Sequence, residues 1–167
     1  QAEAALPIGS GVRLRAKGRV EETMPYELAI DGGELRALLS GQPGWPLALQ
    51  LDFAGGRLSA KGQLGEVDSR IEFGLGAPDL ARFGKGIGVK LPDAGAAGLS
   101  GALSVKPGVV RIDRLSGLLG KSQMAGWLQV DTRGARPALN GALGIQALDL
   151  RPFLGQESKD EPPPDLQ

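Results

Sequence analysis

The sequence predicts a mainly β protein: a curved, largely antiparallel, repeating β-sheet that forms an open groove, with a few short helices. Three observations carry this. Segments of strict apolar/polar alternation recur along most of the chain. In Val12 to Glu21, for example, Val12, Leu14, Ala16 and Val20 fall on one side and Arg13, Arg15, Lys17 and Arg19 on the other. Glycine and proline, 27 and 12 of the 167 residues, punctuate these segments at short intervals. Runs of helix formers are few and brief.

After that first strand, Met24-Pro25 marks a turn, and Tyr26 to Asp31 alternates with Tyr26, Leu28 and Ile30 on one face until Gly32-Gly33 ends it. Glu34 to Leu39 is built of helix formers but runs into Gly41, Pro43 and Pro46, which leaves room for a turn or two of helix. Leu47 to Ala54 is the next strand, with Leu47, Leu49, Leu51 and Phe53 on one side. Gly55-Gly56 joins it in a hairpin to Arg57 to Gly65, where Leu58, Ala60, Gly62 and Leu64 oppose Arg57, Ser59, Lys61 and Gln63. Ser69 to Leu75 continues the pattern. Asp79 to Phe83, after Pro78, reads as a single helical turn, and Gly84 to Asp93 as a glycine-rich loop with a short Val89 to Leu91 segment. Leu99 to Val105, Val109 to Leu115, Met124 to Val130 and Leu139 to Ile145 complete a set of about nine strands. Within Val109 to Leu115, and near Ala147 to Leu150, the apolar parity slips by one, the mark of a bulge or a strand end.

A Gly-x-apolar unit recurs in these strands: Gly18-Arg19-Val20, Gly62-Gln63-Leu64, Gly101-Ala102-Leu103, Gly126-Trp127-Leu128 and Gly141-Ala142-Leu143. Glycine on an apolar face leaves room for a bound chain or for sheet curvature, or simply marks a bend.

Composition removes several classes of function. Nineteen Lys+Arg balance nineteen Asp+Glu, so the overall attraction expected of a nucleic-acid binder is missing. No cysteine or histidine is present, which excludes thiolate nucleophiles, Ser-His-Asp and Cys-His sites, disulfides and most zinc sites. No apolar run reaches the roughly 18 to 20 residues that span a bilayer. Because the chain starts at Gln1 without an initiator Met or signal peptide, it is expected to be an excerpt of a longer protein, any membrane anchor lying outside it. Residues 1–155 read as one β segment, and residues 156–167, charged and proline-rich, as a linker or tail.

The alternation poses a covering problem. About nine strands spaced ~4.8 Å apart make a sheet roughly 40 Å across, and eight residues at ~3.3 Å give it a depth of about 26 Å. The short helix candidates, about 16 residues in all at 1.5 Å per residue, supply roughly 24 Å of helix, too little to bury such a face. The sheet therefore either folds on itself as a sandwich or barrel, or curls into a trough screened by an apolar ligand. A lining of Leu, Val, Ile and Ala with 4% aromatic residues fills space poorly and favours the trough.

Motifs that would carry chemistry fall short. Leu115 to Ser122 ends in Gly120-Lys121-Ser122 but has Leu115 where a phosphate-binding loop needs glycine, and a strand follows where a helix is required; it reads as a turn between strands. Gly84-Lys85-Gly86-Ile87-Gly88 has the wrong spacing for a dinucleotide fingerprint and reads as a flexible loop. Asp113, Asp131 and Asp149, each near an arginine (Arg114, Arg133, Arg151), read as solvated ion pairs at strand ends. The basic side of the first strand either faces water or holds lipid phosphates, and Trp45 and Trp127 either pack or sit at a membrane-like boundary. No catalytic centre, metal site or cofactor is specified.

Residues 88–155 carry a family resemblance in Leu91-Pro92, in the Gly120-Lys121-Ser122 turn followed by Gly126 and Asp131, in Arg136-Pro137 and in Leu148-Asp149-Leu150. With a looser match over Leu6 to Leu80, the chain resembles the AsmA family of Gram-negative envelope proteins. The resemblance implies a periplasmic protein anchored to the inner membrane through an N-terminal helix missing here. It also implies a repeating β-groove that carries phospholipid toward the outer membrane or influences outer-membrane assembly. On that reading acyl chains of a phospholipid or other lipid lie along the trough, and the candidate lining residues are Leu14, Val20, Leu49, Leu51, Leu64, Leu103, Leu128 and Leu143. Other envelope proteins are possible partners, and nucleic acid is not. The competing readings are a non-catalytic structural or protein-interaction β-domain of an envelope complex, and a glycan-active enzyme using paired carboxylates.

Overall fold

The computed structural model describes residues 2–5, 11–20 and 24–147, the first four as backbone alone. The expected tail at 156–167, the Asp149/Arg151 pair and the slip beyond Ala147 lie outside them.

Alternation becomes ladder almost everywhere it was expected. The strands are β1 (Ala2–Ala5), β2 (Arg13–Val20), β3 (Met24–Gly32), β4 (Trp45–Phe53), β5 (Gly56–Leu64), β6 (Ser69–Ala77), β7 (Ala97–Lys106), β8 (Val109–Leu119), β9 (Ser122–Asp131) and β10 (Ala138–Ala147). Helix α1 (Leu35–Leu39) joins β3 to β4, and α2 (Leu80–Gly86) lies between β6 and β7. All ten strands form a single antiparallel sheet in sequence order, β1 to β10, each strand paired with its chain neighbours. The two outer strands do not pair, so the sheet is open, and extensive contacts run only between strands adjacent in it. Neither a closed barrel nor a stacked sandwich forms among the described residues.

Register is set by tight turns. Between β4 and β5 the two-residue turn is Ala54-Gly55, both at positive φ (51° and 81°), with Gly56 already in the strand, one residue earlier than Gly55-Gly56 suggests. Pro107-Gly108, with Gly108 at φ 71°, joins β7 to β8 as proline followed by a left-handed glycine. Gly120-Lys121 is the β8–β9 hairpin turn, and the Gly120 N–H donates to the Ala96 carbonyl at 2.7 Å.

Three expectations need correction. Met24-Pro25 is not a turn: both residues are paired in β3, Pro25 opposite Arg19, near the start of the strand, where a missing N–H is tolerated. Gly84 to Asp93 is not a loop throughout, because α2 runs to Gly86, its N-terminus capped by Asp79 Oδ1 accepting from the Arg82 N–H at 2.8 Å. Gly84-Lys85-Gly86-Ile87-Gly88 is therefore the end of that helix and its cap, and Val89 to Leu91 forms no strand. Close packing explains the helical glycines: a Cβ at Gly84 would stand 2.6 Å from the Val89 carbonyl oxygen, and one at Gly86 2.5 Å from the Ala54 side chain. The strand β1 was not anticipated.

Candidate functional site

In an antiparallel ladder, residues directly opposite one another project from the same face, so the register decides which apolar sides coincide. One row runs Ala16, Leu28, Leu51, Leu58, Leu75, Leu99, Gly117, Met124, Ile145, crossing from β2 to β10 without a polar residue. A second runs Gly32, Leu47, Gly62, Ile71, Leu103, Ile112, Leu128, Gly141. Leu14 lies in a third with Ile30, Leu49, Ala60 and Phe73.

All eight residues singled out from the sequence, Leu14, Val20, Leu49, Leu51, Leu64, Leu103, Leu128 and Leu143, therefore share one face. Sequence reasoning passed over Leu28, Leu58, Leu75, Leu99 and Ile145 on the same face. The missing step was register, which the two-residue turns supply once their central residues are identified.

Continuity survives a break in parity because of a bulge in β8. Ile112 and Leu115 both face the apolar side, and the pairing shifts between them on both flanks. Arg114 takes up the extra residue at φ 52°. The slip seen in the sequence is this bulge; a second shift in β10 falls between Ile145 and Ala147.

Little covers the face. Among the described residues the buried apolar side chains are Trp45, Ala77, Ala94 and Leu115, and no large side chain is fully buried. Mid-sheet residues stay partly open, Leu58 at 36%, Leu75 at 45% and Leu99 at 38% exposure. Apart from Leu115, in the middle of β8, the buried side chains lie at strand ends or in the segment before β7. Near the β4–β5 turn, Phe83 of α2 sits over Gly56, where a Cβ would come within 2.8 Å of its ring. At the other end Trp45 lies against Gly32 and Gly33, its indole N–H donating to the Glu34 carbonyl at 2.9 Å. Beside the first end, a recess of about 1030 Å³ is walled by Gly18, Tyr26, Phe53, Ala77 and Ala97, with Lys17, Arg19, Glu27 and Arg57 on its rim.

The recurrent glycines do not leave vacant slots. A Cβ at Gly62 would stand 1.9 Å from the Arg70 carbonyl oxygen, and one at Gly126 2.0 Å from that of Ala142, so adjacent backbones occupy the space. At Gly18, Gly101 and Gly141 it is taken by Tyr26, by Phe73 with Ile112, and by Leu128. Their role is close approach and bending of the sheet.

Ion pairs occupy the opposite face. Arg13 and Arg15 both reach Asp31, the latter at 2.6 Å, so these two cations of β2 are engaged within the sheet. The Arg15 hydrogen bond, ahead of the other contributions, holds the Asp31 carboxyl below its ordinary range, and Arg57 does the same for Asp52. Asp113 pairs with Arg111 at 2.7 Å, not with Arg114, because residues two apart on a strand share a face. Arg133 pairs with Asp131 as expected; its side-chain and backbone hydrogen bonds lower that carboxyl to about 2. Trp127 faces this polar side, with the Arg111 guanidinium 4.5 Å above its ring, so both tryptophans pack against protein groups. Among the described residues no three metal-ligating side chains cluster, and no helix is long and apolar enough to cross a membrane.

Compared with known protein families, with curated proteins and with solved structures, the chain matched none.

Proposed function

We propose that this chain is a lipid-binding, lipid-conducting segment of an AsmA-like envelope protein, anchored to the inner membrane in its full length and working in the periplasm in outer-membrane lipid homeostasis and assembly. The observation that carries the reading is the apolar row from Ala16 to Ile145, nine strands wide and open at mid-sheet. An apolar face of this extent needs a cover. Acyl chains suit it because each methylene taken out of water gains about 0.8 kcal/mol without requiring directional contacts.

The work asked of the protein is shielding, not bond chemistry. Aliphatic side chains without polar partners select for hydrocarbon and leave the headgroup in water, which makes the surface tolerant of chain identity. Ion pairs such as Arg15–Asp31, Arg57–Asp52 and Arg111–Asp113 lie on the other face, which keeps that side polar and in water.

The test is to purify the chain from a Gram-negative envelope without detergent, extract it with organic solvent and analyse the extract by mass spectrometry. Stoichiometric phospholipid or another acyl lipid is expected. A lipid-free protein that also fails to take up fluorescent phospholipid from vesicles contradicts the proposal.

A further inference from the structure

Strand β10 is the outer strand of the described sheet, and its sequence, A-L-N-G-A-L-G-I-Q-A, has no charge and no proline. Each of the other nine strands contains at least one charged residue. All ten β10 residues are exposed, and pairing with β9 is regular through Ile145. Edge strands are ordinarily protected by charge, proline, a bulge or shortness. This one, about 33 Å long at ~3.3 Å per residue, has none of them along its regular stretch.

The same strand is complementary to itself. Antiparallel pairing about a two-fold axis at Ala142 sets Leu139 opposite Ile145 of a second copy, and Gly141 opposite its Leu143. That repeats the pairing used within the sheet, where Leu128 faces Gly141 and Gly126 faces Leu143. Asn140 then meets Gly144 of the copy and Ala142 meets Ala142, so no like charges oppose one another. A shift of one residue would set apolar against polar positions. Pairing to β1 instead would join only the four residues Ala2–Ala5, and would leave open ends that polymerise.

We infer that β10 is a homotypic joint: two copies of this chain pair edge to edge about Ala142, giving one antiparallel sheet with both apolar faces on the same side. This goes beyond the lipid reading and stands without it, since the joint rests on backbone pairing and strand complementarity.

Sedimentation of the 167-residue chain across a concentration series is expected to show a discrete dimer that dissociates on dilution. The double variant Asn140→Lys with Gly144→Lys sets lysine against lysine at two places and is expected to be monomeric. The double variant Asn140→Lys with Gly144→Glu sets opposite charges across the joint and is expected to recover the dimer. Position 144 tolerates a side chain, since a Cβ there lies 3.8 Å from its nearest neighbour, the Ala125 carbonyl oxygen. As the chain has no cysteine, Ala142→Cys is expected to form an intermolecular disulfide under mild oxidation, and Ala138→Cys is not. A chain monomeric at all concentrations, an open-ended polymer, or a dimer unaffected by the paired lysines overturns the joint. None of these results bears on whether lipid co-purifies.

Discussion

Arg114, the bulge residue of β8, reaches over β7 to Glu72 of β6, with 2.7 Å between Nη2 and Oε1. The bulge thereby does two things: it returns Leu115 to the apolar face and sends a cation across two strand spacings on the other. Both groups of the pair are largely exposed, so its contribution is small beside that of the side-chain parity the bulge preserves.

Replacing Arg114 by glycine relieves a non-glycine residue at φ 52° and removes only this exposed pair. The melting temperature is expected to stay level or rise, by no more than about 1 kcal/mol of stability. Deleting Arg114 removes the extra residue, so Ile112, Asp113 and Leu115 alternate as a regular strand with Leu115, Gly117 and Leu119 still on the apolar face, and calorimetry is expected to show a change of no more than about 1 kcal/mol.

The glycines of the sheet fall into two groups that substitution separates. Gly62→Ala and Gly126→Ala force a Cβ into the Arg70 or Ala142 carbonyl, so denaturant melts are expected to register losses of about 2 kcal/mol or more. Gly98→Ala places its Cβ 3.5 Å from the Leu75 carbonyl oxygen, an ordinary contact, and should be neutral or mildly stabilising.

Trp45 anchors one end of the sheet through both ring packing and its indole N–H. Trp45→Phe keeps most of the ring and loses the hydrogen bond to the Glu34 carbonyl, an expected cost of about 1 kcal/mol. Trp45→Ala removes the ring from its place over Gly32 and Gly33, at an expected cost of about 3 to 5 kcal/mol, measurable by chemical denaturation.

Acid should weaken the Asp131–Arg133 pair over a definite interval. The Asp131 carboxyl lies at about 2 in the fold and at an ordinary 3.8 without its partner. A depressed carboxyl stabilises the fold above the higher value and loses that contribution as pH falls through the lower one. The NMR titration of the Asp131 carboxyl carbon is expected to centre near pH 2, and Asp131→Asn should flatten the pH dependence of stability between about pH 4 and pH 2.

Alternation is a local property, and it made most strands and their apolar sides legible, including the slip that proved to be the Asp113–Arg114 bulge. Each of the eight lining residues could be assigned a side within its own strand. That all eight share one side depends on turn geometry, such as the positive φ of both Ala54 and Gly55. Ion-pair partners were misread where adjacency in sequence stood in for adjacency in space: Asp113 takes Arg111, two residues back on its own face, while Arg114 goes to a strand 42 residues away. The end of α2 was hidden because Gly84 and Gly86 are poor helix formers whose small size is used for packing.

The central claim is that lipid lies on the face shared by Leu51 and Leu128, and photo-crosslinking from the two faces tests it most directly. Photoreactive residues at Leu51 and Leu128 should capture phospholipid in a Gram-negative envelope, while probes at their polar-face neighbours Gln50 and Gln129 should not. Capture from neither face, or equally from both, would contradict the account.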